Sequence, residues 1–399
     1  MSRHGLLGLT TPLWPIRYKP LPDELLSCWL VRLAHGHGMK VQTFCNLLFG
    51  NRLQVWNRDI DRLAPAWLLD ALVLHTGTPA DVAYGTTLRV FEGLLYPKFR
   101  LSGHLPWIQN LQMYHRTRQG FGQQYCPACL ASDEVPYFRK TWRLSLKTFC
   151  VSHNCQLLDR CQACGAAVSF HRMDMGRAEL LPDAPLSACH ACGFDLASAR
   201  REPPRVIDEE AFGALANIVD AMDAVATGGL SDLQAGTLAV LRHMTVMMLS
   251  RKQKLHLLQY MADLFGEPTP EIAAASRPTI EAQSLTTRHV LLLWSTWLLC
   301  LPSQRLAQAW TSGAFRYSHL MRDFVAPPSW YVTHVVDYIQ RHSLDDRGRQ
   351  PLLELGVEAR RSTAAVRTQA PSGTGVTTPS KRMLSMRVGL PLRLLKKVS

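Results

Sequence analysis

A mainly α-helical fold with small cysteine-rich modules in its middle is predicted by three observations. Apolar residues recur at helical spacing on both sides of the centre. Four cysteine-containing pairs fall in register between residues 126 and 192. Nowhere does strand alternate with helix as in a parallel sheet. The pairs read Cys126-Pro-Ala-Cys129, Cys150-Val-Ser-His153, Cys161-Gln-Ala-Cys164 and Cys189-His-Ala-Cys192. Two donors separated by two residues can face one small tetrahedral cation, so four pairs supply two closed sets of four, and zinc is the usual occupant. Twenty residues separate Cys129 from Cys150 and twenty-four separate Cys164 from Cys189, gaps that suit tandem zinc-ribbon-like modules.

The first helix is expected within residues 22–36, where Leu25, Leu26, Trp29, Leu30 and Leu33 form a stripe, Asp23 and Glu24 lead, and Gly36 and Gly38 follow. A short second helix runs from Val41 to Phe49 and stops at Gly50. Residues 65–77 and 79–94 read as two more helices joined at Gly77-Thr78-Pro79, the outline of a helix-turn-helix, although most such pairs are simply packed α-hairpins. Between the first two knuckles, residues 135–149 fit both helix and strand. The length of the run favours a helix, with Arg139, Arg143 and Lys147 aligned on a solvent face.

Residues 198–205 (SARREPPR) read as a linker, and residues 205–340 as wholly helical. The run Val290–Leu301 is too short for a membrane span and is expected to be a buried helix. The methionines of residues 243–249 are expected to fill core space. The domains are therefore 1–122 (helical, with the helix-turn-helix), 123–197 (tandem zinc-binding), 205–340 (C-terminal helical) and 341–399 (a basic tail with a linker-like stretch).

The first zinc set is Cys126, Cys129, Cys150 and His153, with Cys155 as competitor; the two-residue spacing favours His153. The second is Cys161, Cys164, Cys189 and Cys192. Gly165 and Gly193 follow the second cysteines of their knuckles, where a positive φ would turn backbone amides toward sulfur. Cys28, Cys45 and Cys300 sit in apolar helices and are expected to be buried. Both zincs are expected to be structural, since neither set leaves a position open for water. No HExxH, deaminase, GxxxxGK[ST] or GxSxG pattern occurs, so no catalytic residue is nominated. The absence of a leader pattern and the clustered thiols point to a reducing cytoplasm and to no membrane association. The net charge of +13 lies toward the two ends of the chain and fits an anionic partner such as DNA, or solubility alone. Arg52, Arg58, Arg89, Lys98 and Arg100 are the candidate phosphate contacts.

Two stretches carry a resemblance. Residues 21–34 (LPDELLSCWLVRLA), followed by Phe44, are similar to the opening of the TniQ/TnsD family of transposition target-selection proteins. Tyr125-Cys-Pro-Ala-Cys-Leu130, Trp142, Cys150-x-x-His153, Leu157 and Cys161-x-x-Cys164 resemble that family's zinc module in the same order. The resemblance covers roughly residues 12–200, and neither Cys155 nor the basic end beyond Arg341 matches it. It implies a non-catalytic adaptor that helps to select target DNA, directly or through a partner complex, and works beside an AAA+ ATPase and a DDE transposase. A homodimer is compatible with that picture. The alternative is a zinc-containing helix-turn-helix transcriptional regulator.

Overall fold

The computed structural model describes residues 12–50, 55–111, 120–174, 186–229, 232–251, 255–273, 278–322, 324 and 326–345. Arg52 and most of the basic tail lie outside them. The fold is mainly α-helical, and the sole sheet among the described residues is one two-stranded antiparallel ladder, β1 (Phe149–Cys150) and β2 (Cys155–Gln156). The chain divides into two compact units. One holds residues 1–206, 218–235 and 279–289, the other residues 207–217, 236–278 and 290–399.

The first unit opens with α1 (Leu26–Gly36), whose apolar stripe is buried as expected. Asp23 and Glu24 precede the helix and do not serve its dipole. Glu24 is fully buried and pairs with Arg32 (Oε1···Nε 2.7 Å), while Asp23, at φ 59°, accepts from Thr141 Oγ1 at 2.6 Å. Gly36 ends the helix where a Cβ would sit 2.5 Å from Tyr18 Cε2 and 2.9 Å from Ile16 Cγ2, so a side chain there would have to push both aside.

The second helix, α2 (Val41–Phe49), stops at Gly50 as its sequence indicates. A single turn, α3 (Ile60–Leu63), is capped by Asp59, which accepts from Arg62 N. The helix-turn-helix pair is α4 (Ala66–Thr76) and α5 (Ala80–Tyr84), joined through Gly77 at φ 62°. Lys19 Nζ donates to the carbonyls of Thr76 and Gly77, both at 2.7 Å, and so satisfies the end of α4. The second helix is shorter than its sequence pattern. It ends at Tyr84, and Leu88–Phe91 forms a separate 3-10 turn. Thr86 and Thr87 explain the break: both hydroxyls donate back to carbonyls of the preceding turn, competing with helix continuation.

The main correction concerns residues 135–149. They form no α-helix, but a 3-10 turn (Lys140–Arg143), an isolated bridge from Leu144 to Ile108 and a further turn before β1. Both faces of this run are covered, because Trp142, Leu144, Leu146 and Phe149 are all buried. Segments 107–110 and 122–125 flank it. Gln109 N donates to Arg143 O, Ser145 N to Trp107 O, and the Gln124 side-chain amide lies among the carbonyls of Trp142, Leu144 and Lys147 at 3.0–3.2 Å. These flanking segments touch at Gly122, where a Cβ would stand 2.3 Å from Asn110 O. We expect Gly122→Ala to destabilise the first unit by ~1–3 kcal/mol, because backbone rather than a movable side chain fills that space. Urea unfolding would read it, and an unchanged midpoint would show that the two segments separate freely.

Residues 198–205 are tethered rather than free. Arg200 N donates to Gln162 Oε1, Gln156 N donates to Glu202 O, and His289 Nε2 lies 2.8 Å from Arg205 O. Returning chain from 279–289 completes this unit: Trp107 N donates to Glu281, and Arg288 to Gln124 Oε1 at 3.1 Å.

Helix α6 (Pro127–Ser132) belongs to the first cysteine site described below, and α7 (Glu209–Ala226) is shared between the two units. The second unit contains α8 (Ala235–Leu249), α9 (Leu257–Phe265), most of α10 (Leu285–Cys300) and α11 (Pro302–Thr311). A last helical stretch, Ser329–Asp345, includes a π segment at Val332–Val336. Met244, Met247 and Met248 are buried core, as expected of the Met-rich run. Leu291–Trp294, Leu298 and Leu299 are buried too, and among the described residues no helix is long and apolar enough to cross a membrane.

Candidate metal centres and basic face

Local chain geometry brings the predicted donors together. Cys126 is the N-cap of α6, with Pro127 at the first helical position, and its sulfur accepts from Cys129 N at 3.4 Å. The β1–β2 hairpin supplies Cys150 and, from its loop, His153. The donor atoms of Cys126, Cys129, Cys150 and His153 all lie within 4.8 Å of one another. Within that set Cys129 and Cys150 sulfurs are 3.7 Å apart, and His153 Nδ1 stands 3.8, 3.3 and 3.5 Å from Cys126, Cys129 and Cys150.

The second set, Cys161, Cys164, Cys189 and Cys192, is equally close, with Cys161–Cys192 and Cys164–Cys189 sulfurs both 3.7 Å apart. These distances can be tested against a metal. Tetrahedral zinc with bonds of ~2.3 Å to sulfur and ~2.0 Å to nitrogen needs edges of about 3.8 Å between sulfurs and about 3.5 Å between sulfur and nitrogen. Both clusters fit, so either could hold such an ion, and both are compatible with zinc-ribbon-like modules.

Knuckle turns explain how the chain achieves this. Gly165 and Gly193 have φ of 72° and 79°, and each donates its amide to the carbonyl of the first cysteine of its knuckle. The equivalent position after His153 is Asn154, also left-handed at φ 43°. Asparagine is the residue that most readily substitutes for glycine there, so Asn154 marks its knuckle as Gly165 and Gly193 mark theirs. The two clusters differ in exposure. Cys126, Cys129 and Cys150 are buried, whereas Cys164 and Cys192 of the second cluster are exposed. The clusters are also joined. Tyr125, just before the first knuckle, exchanges backbone hydrogen bonds with Leu158, and its hydroxyl donates to Arg160 O at 3.1 Å.

Cys28, Cys45 and Cys300 are buried outside both clusters, as expected, and burial pushes the Cys45 and Cys300 thiols up to about 12. Cys155, also buried, lies 3.5 Å from the Cys126 sulfur.

The basic stripe expected to face solvent is turned largely inward. Arg143 is fully buried and reaches Asp59 (Nη2···Oδ2 2.5 Å) and Asp61 (Nη1···Oδ2 3.4 Å). Lys147, 4% exposed, pairs with Asp223, and Arg139 forms a double hydrogen bond with Asp133. Asp61 in turn accepts from Ser27 N and Oγ at the start of α1. Burial, and next the charge of Asp59, push the Asp61 carboxyl up to about 6 against the pull of Arg143 and the Ser27 hydrogen bonds. This buried ionic web was missed because its partners are far apart in sequence.

Of the candidate phosphate contacts, Arg58, Lys98 and Arg100 are exposed. Arg89 is half-buried, its guanidinium 3.9 Å from the Phe99 ring centre and 3.3 Å from Glu92. The structure therefore gathers Arg89 with residues 98–100, and Arg62 joins them by donating to Arg100 O at 3.0 Å. Arg58 lines a cavity of about 20 Å³ with Trp56, Asp59 and Asp61.

Comparison with protein families matches residues 15–157 to the TniQ family model. No curated protein matches the chain. The matched range begins at the segment packed on α1 and ends beside β2, so it contains the whole first cysteine cluster and stops before the second. Residues 15–157 are thus similar to the TniQ family, a likeness that points to a transposition-associated protein.

Proposed function

We propose that the chain is a non-catalytic adaptor for DNA transposition, acting in the cytoplasm, which helps to select the target site and recruits or regulates an AAA+ ATPase and a DDE transposase. The observation that carries this reading is the TniQ match, which unites the N-terminal helices and the first cluster in one unit. Zinc bound at each cluster would supply a cross-link rather than a Lewis acid, because four protein donors leave no place for substrate or water. The residues that would hold it are Cys126, Cys129, Cys150 and His153 in one site, and Cys161, Cys164, Cys189 and Cys192 in the other. The regulator reading gains little support: α5 spans five residues, short for a helix that must lie in a major groove and read bases.

In the adaptor reading, target DNA is held at the face formed by Arg89, Lys98 and Arg100, with Arg58 as a separate exposed contact. Arg89 is held in place by Phe99 and Glu92, and exposed Lys98 and Arg100 flank it. Binding measured across salt concentrations should fall steeply, and each Ala substitution at Arg89, Lys98 or Arg100 should flatten the logarithmic slope by about one unit. Binding indifferent to salt would assign this face to protein instead. The adaptor role itself is tested by transposition in cells with and without the chain, followed by sequencing of insertions. Loss of target preference is the expected outcome, and an unchanged frequency and distribution would sink the reading.

A further inference from the structure

Beside the four donors of the first cluster, which lie within 4.8 Å of one another, stands a further thiol outside that set, Cys155. Cys155 is 3% exposed, and its sulfur lies 3.5 Å from that of Cys126, as close as ligands of one ion approach each other. It is also fixed in place. Cys155 stands directly opposite Cys150 in the β1–β2 ladder, so its backbone is held by the same hairpin that presents an assigned ligand. His153, by contrast, is exposed and sits on the hairpin loop, next to left-handed Asn154. The buried donor is thus anchored on the ladder, whereas the loop donor is exposed and outside it.

From this geometry we propose that Cys155 is a fifth donor of the first cluster, exchangeable with His153. The site closes either as Cys126–Cys129–Cys150–His153 or as Cys126–Cys129–Cys150–Cys155, with Cys126, Cys129 and Cys150 common to both. The inference rests on the zinc reading of the cluster. Exchange replaces a neutral imidazole by a thiolate, so the metal complex becomes more negative by one charge. The consequence is a cluster that keeps its ion when the loop carrying His153 swings away, for instance to meet a partner.

The test is metal content of the full chain, purified in zinc and again in cobalt. Wild type should hold two ions per chain; fewer would defeat the zinc reading itself and is thereby distinguishable. His153→Ala and the milder His153→Asn should each still hold two. In the cobalt form the thiolate charge-transfer band should rise by a factor of about 8/7, as a four-thiolate set replaces three thiolates and a histidine. Cys155→Ser should hold two ions with the wild-type spectrum. The double variant His153→Ala/Cys155→Ser should hold one. If either His153 variant alone drops to one ion, or the double variant keeps two, or Cys155→Ser loses one, the exchange does not occur as proposed.

Discussion

Replacing Cys126 by serine is expected to abolish metal binding at the first cluster and to unfold the surrounding part of the first unit. Cys126 belongs to either closed form of that cluster, so neither His153 nor Cys155 can compensate for it. Structural zinc in small modules carries ~10–16 kcal/mol of apparent binding energy at neutral pH, comparable with the whole stability of a typical domain, ~5–15 kcal/mol. The chain around the site has little regular structure to fall back on: one six-residue helix and a ladder two residues long on each strand. Metal content should fall by one ion, and limited proteolysis should open sites between residues 123 and 158 that are closed in the wild type. Retention of both ions with an unchanged digestion pattern would mean that the cluster is no ligand set. The corresponding Cys164→Ser should cost one ion but leave the matched domain resistant, because the second cluster begins after it.

Arg143→Met carries the second large effect. The guanidinium is fully buried between Asp59 and Asp61, and its removal leaves the buried Asp61 carboxylate beside that of Asp59 with its paired cation gone. Breaking a buried pair from one side costs ~3–5 kcal/mol, far more than an exposed pair would. The pH dependence gives the effect its signature. A carboxyl raised above its unfolded value contributes stability below that unfolded value, and this is lost as pH rises through the folded value, here about 6 for Asp61. Without Arg143 to lower it, the carboxyl rises further and the loss continues above pH 6. Urea unfolding at pH 5 and pH 7.5 should therefore show a penalty for Arg143→Met that grows with pH. A penalty equal at both values would mean that the carboxylates do not depend on Arg143. Adding Asp61→Asn should recover part of the loss at the higher pH.

The metal donors were legible because their information is local: a pair two residues apart states its own geometry. The same holds for α2, whose end is written in Gly50, and for Gly77, Gly165 and Gly193. What was not legible depends on distant chain. Phe138, Trp142 and Leu146 fit a helical stripe, but the run is flanked by segments 107–110 and 122–125, and a segment buried on all sides has no solvent face from which a period could be read. Arg143 and Lys147 looked solvent-facing because basic residues usually are. Their partners Asp59 and Asp223 lie 84 and 76 residues away, and no spacing rule reaches that far. The short α5 was partly readable, since Thr86 and Thr87 are the kind of residue that bonds to its own preceding turn.

The segment that returns at residues 279–289 also sets an order of events during synthesis. Gln124 waits for Arg288, 164 residues later, Trp107 for Glu281, 174 later, and Thr148 for His289, 141 later. Each arrives to satisfy a buried polar group, which until then must be hydrated or left bare. A nascent chain cannot complete its first unit when residue 157 emerges from the ribosome, even though the family domain ends there. Completion comes only after the intervening helices have been made, so the TniQ domain is finished by translation well before it is finished by folding.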